Sequence, residues 1–446
     1  MPTCLDPIPT ESPTIAFYTL GCKANQLETS TLADQFRDAG WEVRPFDEPA
    51  QVVVVNTCTV TERSDVESQR IVRRAHLSNP TAKIVMTGCY AQVSPEEVAA
   101  LPGVTHVVGN QFKPDILKLL LSETANPEAA SGPPSPMVLV GDIDKSRMME
   151  GASTAGLDRT RGSLKIQDGC DYKCTYCIIW EARGASRCLP VADIEAHLAR
   201  MVAEGFYDIT LTGINIGQYQ DGEIDLAGLL MALVACPGHF RLRLTSLDPL
   251  EVTDRLLTTM ATYPEKICPH LHLSAQSADD GVLKRMARRH HVADMVRIVH
   301  QAKALMPDIT IGSDIIVGFP GEDEQAFERT ATVLSDIPMD YLHVFSYSKR
   351  KGTPAAQFED QVPEREKKRR AAVLRTLSER RYHAYLATWV GRSLDVVMES
   401  CGRKGMAGPY IRAQLPDGAL AFTPNQVVPL QVATVGLDFV VAHAAV

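Results

Sequence analysis

Apolar positions along the chain fall into short continuous runs, and amphipathic stretches separate the runs. In the first part, runs at residues 14–20, 52–56, 83–87 and 105–108 predict strands, and 25–39, 62–77 and 112–121 carry helical spacing. This β-α-β rhythm predicts a parallel sheet covered on both faces. Residues 123–156 are rich in Pro, Ala, Ser and Gly, including Gly132-Pro-Pro-Ser-Pro136, and predict a linker with a short strand at 137–140.

The rhythm returns from residue 164. Strands are expected at 164–167, 208–212, 241–245, 270–274, 310–317 and 341–345. Helices are expected at 191–204, 226–235, 251–262, 280–287, 293–305 and 323–335. Six such units suggest a partial barrel, whose chemistry would collect at the carboxyl ends of the strands. A basic helical connector follows over 354–386. From about residue 389 the pattern shortens to strands at 393–400, 410–413, 420–423, 431–435 and 439–442, the signature of a small antiparallel β-barrel. The expected fold class is thus α/β: an open parallel α/β sheet domain (13–122), a linker (123–155), a partial (β/α)6 barrel with its connector (156–386), and a C-terminal antiparallel β-barrel (389–446).

Composition narrows the setting. Hydrophobic residues make up 45% of 446, yet no apolar run has membrane-spanning length. The first residues are polar and proline-rich, without a charged-then-apolar leader, so the chain reads as cytoplasmic. In a reducing compartment eleven cysteines point to metal ligands and buried thiols. The net charge of −9 argues weakly against nucleic acid, but cations cluster over 284–291, 349–351 and 365–381. A local basic face can bind phosphates on an acidic protein. Each run reads equally as a solvated helix face.

The thiols carry the chemistry. Cys170, Cys174 and Cys177 stand at C-x3-C-x2-C spacing just after the first barrel strand. Three ligands on one loop suit a [4Fe–4S] cube with one iron left for another group. Structural zinc wants four protein ligands and the chain has no second C-x2-C, while a disulfide pair stays open. Cys22, Cys58 and Cys89 each sit just past a predicted strand, where open α/β sheets gather their ligands. Core cysteines placed by chance would favour strand interiors, so a second three-cysteine cluster is expected. Cys4, Cys188, Cys236, Cys268 and Cys401 read as core or free thiols.

With these trios in this order, the chain resembles the radical-SAM methylthiotransferases. Leu20-Gly-Cys-Lys-Ala-Asn-Gln-Leu-Glu28 and Asn56-Thr-Cys-Thr-Val60 look like the N-terminal signatures, and Cys174-Thr-Tyr-Cys-Ile-Ile with Ala182-Arg-Gly184 like the radical-SAM loop. Leu211-Thr-Gly-Ile-Asn-Ile-Gly217, Asp314-Ile-Ile-Val-Gly-Phe-Pro-Gly-Glu322 and His343-Val-Phe-Ser-Tyr-Ser-Lys-Arg350 extend the match, and the last domain resembles the RNA-binding TRAM module. Gly21-Cys22-Lys23 is most similar to the branch acting on N6-threonylcarbamoyladenosine, since other branches usually have Gln or Pro after this cysteine. The alternatives are isopentenyladenosine in tRNA or an aspartate of a ribosomal protein as substrate, and, outside enzymes, an iron–sulfur RNA-binding scaffold. Trp180-Glu181 and Ala278-Asp279 depart from the family's usual Pro-Tyr and Gly-Ser.

The resemblance implies two [4Fe–4S] clusters, one on Cys170, Cys174 and Cys177, and an auxiliary one on Cys22, Cys58 and Cys89 that carries the sulfur. It implies two S-adenosylmethionine (SAM) molecules per turnover, as radical source and methyl donor, and insertion of sulfur at adenine C2 of tRNA position 37. Thr212 and Gly213 would meet the SAM amino group, Ser246 and Asp248 its ribose, and Gln276 would line the same pocket; each also reads as an ordinary strand-end polar group. Arg183 would pair with a carboxylate or phosphate, or form a structural ion pair. Tyr172, Tyr176 and Trp180 would stack on a base or shield the cluster. Lys367, Lys368, Arg369, Arg370, Arg403, Lys404 and Arg412 are the candidates for RNA phosphates. The implied partners are a tRNA anticodon stem-loop, an electron donor such as flavodoxin or ferredoxin, and a sulfur donor, with no membrane.

Overall fold

The structure is a computed structural model that describes residues 12–125, 135–145, 153–154 and 160–444. Its contacts divide the chain into two compact units, residues 1–146 with 181–184, and 147–180 with 185–446.

The first unit is a six-stranded sheet. Its elements are β1 (Thr14–Thr19), α1 (Lys23–Asp38), β2 (Glu42–Arg44), β3 (Val52–Thr57), α2 (Glu62–Ser78), β4 (Lys83–Gly88), α3 (Cys89–Val93), α4 (Pro95–Ala99), β5 (Val104–Val108), α5 (Ile116–Ala125) and β6 (Met137–Leu139). The order is β2-β1-β3-β4-β5-β6, parallel throughout. The four valines of β3 show why both faces are covered. Val53 and Val55 pack with Ile71 and Val72 of α2, while Val52 and Val54 pack with Phe36 of α1 and Ile116 of α5. Thr61 caps α2 by accepting from the Ser64 amide. The stretch read as a linker supplies β6, which pairs with β5; apolar Met137-Val-Leu139 continues the sheet despite the proline-rich run before it.

The second unit opens with β7 (Ser153–Thr154), β8 (Arg161–Lys165), β9 (Gln167–Asp168), α6 (Ile179–Arg183, its last three residues grouped with the first unit), β10 (Arg187–Cys188), α7 (Val191–Ala203), β11 (Asp208–Thr212), the pair β12 (Gln220–Asp221) and β13 (Ile224–Asp225), α8 (Leu226–Ala235), β14 (Arg241–Leu244) and α9 (Asp254–Thr262). It continues with β15 (His270–Gln276), α10 (Asp280–Arg285), α11 (Val292–Leu305), β16 (Thr310–Val317), α12 (Glu324–Asp336), β17 (Tyr341–Ser346) and α13 (Glu364–Ala387). Strands β8, β11 and β14 are parallel neighbours, as are β15, β16 and β17. Two isolated parallel bridges, Leu242 to Ile267 and Leu247 to Leu273, join the sets into the expected partial barrel. Its apolar core lies between strands and helices, where Leu211, Leu230, Leu242, Ile298 and Ile311 are buried together.

A closed five-stranded barrel follows: β18 (Ser393–Met398), β19 (Lys404–Ala407), β20 (Arg412–Gln414), β21 (Val427–Val435) and β22 (Val440–Ala444). The strand expected at 420–423 does not form, and Lys404–Ala407 takes its place. Arg403 donates to the carbonyls of Pro416 and Ala419 and folds that stretch back as a turn. Polar side chains dock this barrel on the amino ends of the parallel strands. Arg241 donates to the carbonyls of Asp395 and Met406, Arg243 to those of Ala407 and Gly408, and both pair with buried Asp208. The carboxyl ends of the strands, where the thiol loop lies, remain at the other end of the unit.

Candidate functional site

Cys22 is the N-cap residue of α1, Cys58 follows β3 directly, and Cys89 opens α3 directly after β4. Because β1, β3 and β4 are neighbours, the trio leaves the carboxyl ends of three adjacent strands. Cys58 and Cys89 are buried and Cys22 is exposed. Burial, with the nearby Cys89 and Cys22 thiols adding, pushes Cys58 up to about 11. Gly21 has φ +96°, and a Cβ there would lie 2.8 Å from Cys58 Sγ, so only glycine lets this turn rest on the thiol.

A buried charge network stands beside the trio. Glu28 on α1 accepts from Lys113 at 2.5 Å and from Arg183, which also reaches Asn25. Lys113 donates to Asn56 Oδ1 at 3.2 Å, and Asn56 donates to the Asn25 carbonyl. Arg183 therefore forms a structural ion pair, inside the N-terminal unit.

The second trio sits on the loop after β9. Gln167 shapes that loop: its amide nitrogen donates to the Asp168 and Gly169 carbonyls, and its Oε1 accepts from the Ile214 and Asn215 amides. A Cβ on Gly213 would lie 2.8 Å from Gln167 Oε1, so the loop after β11 needs glycine there. Cys174 is buried, while Cys170 and Cys177 are partly so. The Tyr172 and Ile179 amides donate to Cys170 and Cys177 Sγ at 3.4 Å, and Arg288 to Cys174 Sγ at 3.6 Å. Burial, with neighbouring thiols adding, pushes Cys170 up to about 11 and Cys177 to about 12.

None of the six thiols is in a disulfide. Within each trio the sulfurs are close enough to raise one another's pKa: Cys22 and Cys89 act on Cys58, and Cys174 acts on Cys170 and Cys177. Three thiols in each set, with amide and guanidinium donors aimed at the sulfurs of the second, fit three corners of a cluster better than a four-ligand zinc site.

The expected SAM pocket is only partly free. Thr212 is buried and its carbonyl accepts the Ile166 amide. Ser246 is half-buried. Asp248 pairs with Arg288 at 2.5 Å and caps the turn at Pro249–Glu251. Gln276 holds φ +68° at the end of β15, a strained conformation of the kind that collects at functional sites. Asp279 caps α10 and pairs with Arg329 at 2.7 Å, so this departure from the family pattern adds no loose acid. Sequence reasoning missed Arg288, Glu251 and Asn215. Arg288 lay in a run read as a basic surface, yet its side chain is 6% exposed.

Two phosphate candidates are corrected. Lys367 and Arg370 are buried, Lys367 on Glu364 and the Tyr347 carbonyl, Arg370 on Glu322. Arg369 pairs with Glu324 and Glu366, and Arg412 with Asp438. Lys368 and Lys404 are exposed.

A C-x3-C-x2-C loop at the start of a partial (β/α)6 barrel marks the radical-SAM class, and residues 164–334 match the Radical SAM superfamily. Residues 14–109 match a family described as uncharacterized protein family UPF0004. Threonylcarbamoyladenosine tRNA methylthiotransferase MtaB of Bacillus subtilis is 39% identical over 390 residues, 86% of this chain and 85% of that protein. The protein of that name from Thermotoga maritima is 36% identical over 399 residues, 89% of each. The radical S-adenosylmethionine methyltransferase TsrM of Kitasatospora setae shares the fold, with TM-score 0.58 at 15% identity over 77% of each chain. The chain belongs to the radical-SAM methylthiotransferase family. Membership brings S-adenosylmethionine and [4Fe–4S] clusters as cofactors. None of the described helices is long and apolar enough to cross a membrane.

Proposed function

We propose that this enzyme converts N6-threonylcarbamoyladenosine at tRNA position 37 to its 2-methylthio derivative. The observation that carries the reading is a pair of three-thiol sites, each at the carboxyl ends of parallel strands. Similarity to proteins named for threonylcarbamoyladenosine supports the substrate. When bound, the clusters and two SAM molecules supply the radical, the sulfur and the methyl group. Cys170, Cys174 and Cys177 would hold the cluster that meets SAM, and Cys22, Cys58 and Cys89 the auxiliary one. Gln167 and Gly213 shape the SAM side of the barrel mouth; Ser246 and Gln276 line it. Lys368 and Lys404 are the exposed cations left to meet RNA phosphates, with the C-terminal barrel as a TRAM-like module. The setting is the cytoplasm, with a flavodoxin- or ferredoxin-like electron donor and a separate sulfur donor.

Mass spectrometry of tRNA nucleosides from a deletion strain tests this. The 2-methylthio derivative of threonylcarbamoyladenosine should vanish, and return with the wild-type gene but not with Cys174→Ala. Its persistence, or loss of methylthiolated isopentenyladenosine instead, would overturn the substrate.

A further inference from the structure

Inside the partial barrel, three adjacent parallel strands each send one side chain to a common point. His272 of β15, Asp314 of β16 and His343 of β17 place their ligand atoms within 4.8 Å of one another. Asp314 Oδ1 serves both imidazoles, 3.0 Å from His272 Nε2 and 3.3 Å from His343 Nδ1. We propose that His272, Asp314 and His343 form a binding site for a divalent transition-metal cation of the zinc class, separate from both thiol trios.

The two distances from Asp314 Oδ1 suit one ion. Ligands held at about 2.1 Å from a tetrahedral or octahedral metal lie roughly 3.0–3.4 Å apart. Two imidazoles and one carboxylate form a donor set that leaves coordination positions open. The support behind His272 has the form such sites need. Its Nδ1 lies 2.9 Å from Tyr341 Oη, and Tyr341 Oη lies 2.9 Å from His270 Nε2. This chain fixes the His272 ring with Nε2 toward Asp314. His270 is held in turn by stacking on Tyr410 at 4.4 Å. Access is one-sided: the side chain of His272 is 7% exposed, that of Asp314 23% and that of His343 47%. The open positions would therefore face the His343 side, toward solvent or a substrate oxygen. The nearby cation Arg243 is committed to Asp208, leaving Asp314 as the carboxylate of the group.

The test uses the full-length, cluster-loaded protein incubated anaerobically with zinc, freed of unbound metal, and analysed for zinc, iron and sulfide. Wild type should retain one zinc per chain beyond its iron, whereas His343→Ala and Asp314→Ala should retain less than about a tenth of that at unchanged iron and sulfide. Tyr341→Phe, which removes only the outer support, should bind zinc roughly tenfold more weakly. Cobalt(II) in the same site should give visible bands without the charge-transfer absorption that thiolate ligands produce. Should Asp314→Ala lose iron as well, His343→Ala decides, because its half-exposed ring carries little of the core. Equal zinc in wild type and His343→Ala, or none in wild type, would overturn the site and leave an ordinary hydrogen-bonded cluster on the barrel wall.

Discussion

Glu251 shows what burial does to one carboxyl beside the barrel mouth. It accepts from Asn215 at 2.8 Å and from the Asp248 amide at 3.1 Å. Burial first, and the Asp248 charge next, raise it from 4.5 to about 7. A carboxyl raised by folding contributes stability that is fully present below its unfolded value and is lost as pH rises through the folded one. His290, lowered by burial from 6.5 to about 4, works in the opposite sense: its contribution is complete above 6.5 and fades as pH falls toward 4. Between about pH 6.5 and about pH 8 only the Glu251 change remains of the two. Melting temperature should decline over that interval, and Glu251→Gln should flatten the decline; parallel curves would refute the assignment. Neither residue could be singled out in the sequence, because an ionisable side chain looks the same whether a fold buries it or not.

At the scale of elements, the apolar runs were good guides. The expected strands at 208–212 and 310–317 form at those residues, and β1, β3 and β4 end within a residue or so of expectation. What escaped were short pieces without a period of their own: β2, α3, α4 and β19, each of five residues or fewer. Their register comes from neighbours, as when Glu42–Arg44 pairs with β1. Helix α1 carries a sharper consequence. Its Glu28 lies between buried Lys113 and Arg183, so Glu28→Gln leaves two buried cations short of their counter-charge. Breaking such a pair from one side costs roughly 3–5 kcal/mol. Denaturant unfolding should show a loss of that order; a change within experimental error would mean that water screens the network.

Across the second unit, two attachments at opposite ends of the parallel strands separate chemistry from docking. The thiol loop leaves at the carboxyl ends, and Asp208, the first residue of β11, gathers Arg241 and Arg243 at the amino ends against the C-terminal barrel. Asp208→Asn should loosen that docking and speed proteolytic cutting between α13 and β18, while iron content stays at the wild-type level. An unchanged cleavage pattern would show that carbonyl contacts and the Tyr410 stacking suffice.

By itself the sequence determined the class of fold and the close spacing of Cys170, Cys174 and Cys177 on one loop, because strand runs and short-range spacing are local properties; Cys22, Cys58 and Cys89 come to adjacent strand ends only through the pairing of β1, β3 and β4. It did not determine which cations are free. Lys367, Lys368, Arg369 and Arg370 stand side by side in the chain, yet helical turn and packing bury the first and last and leave Lys368 in solvent. Nor did it bring His272, Asp314 and His343 together: each stands on a different strand, far from the others in the chain, and only parallel pairing of β15, β16 and β17 sets them side by side. Contacts made across such sequence distances depend on register and crossing geometry, which no local pattern encodes.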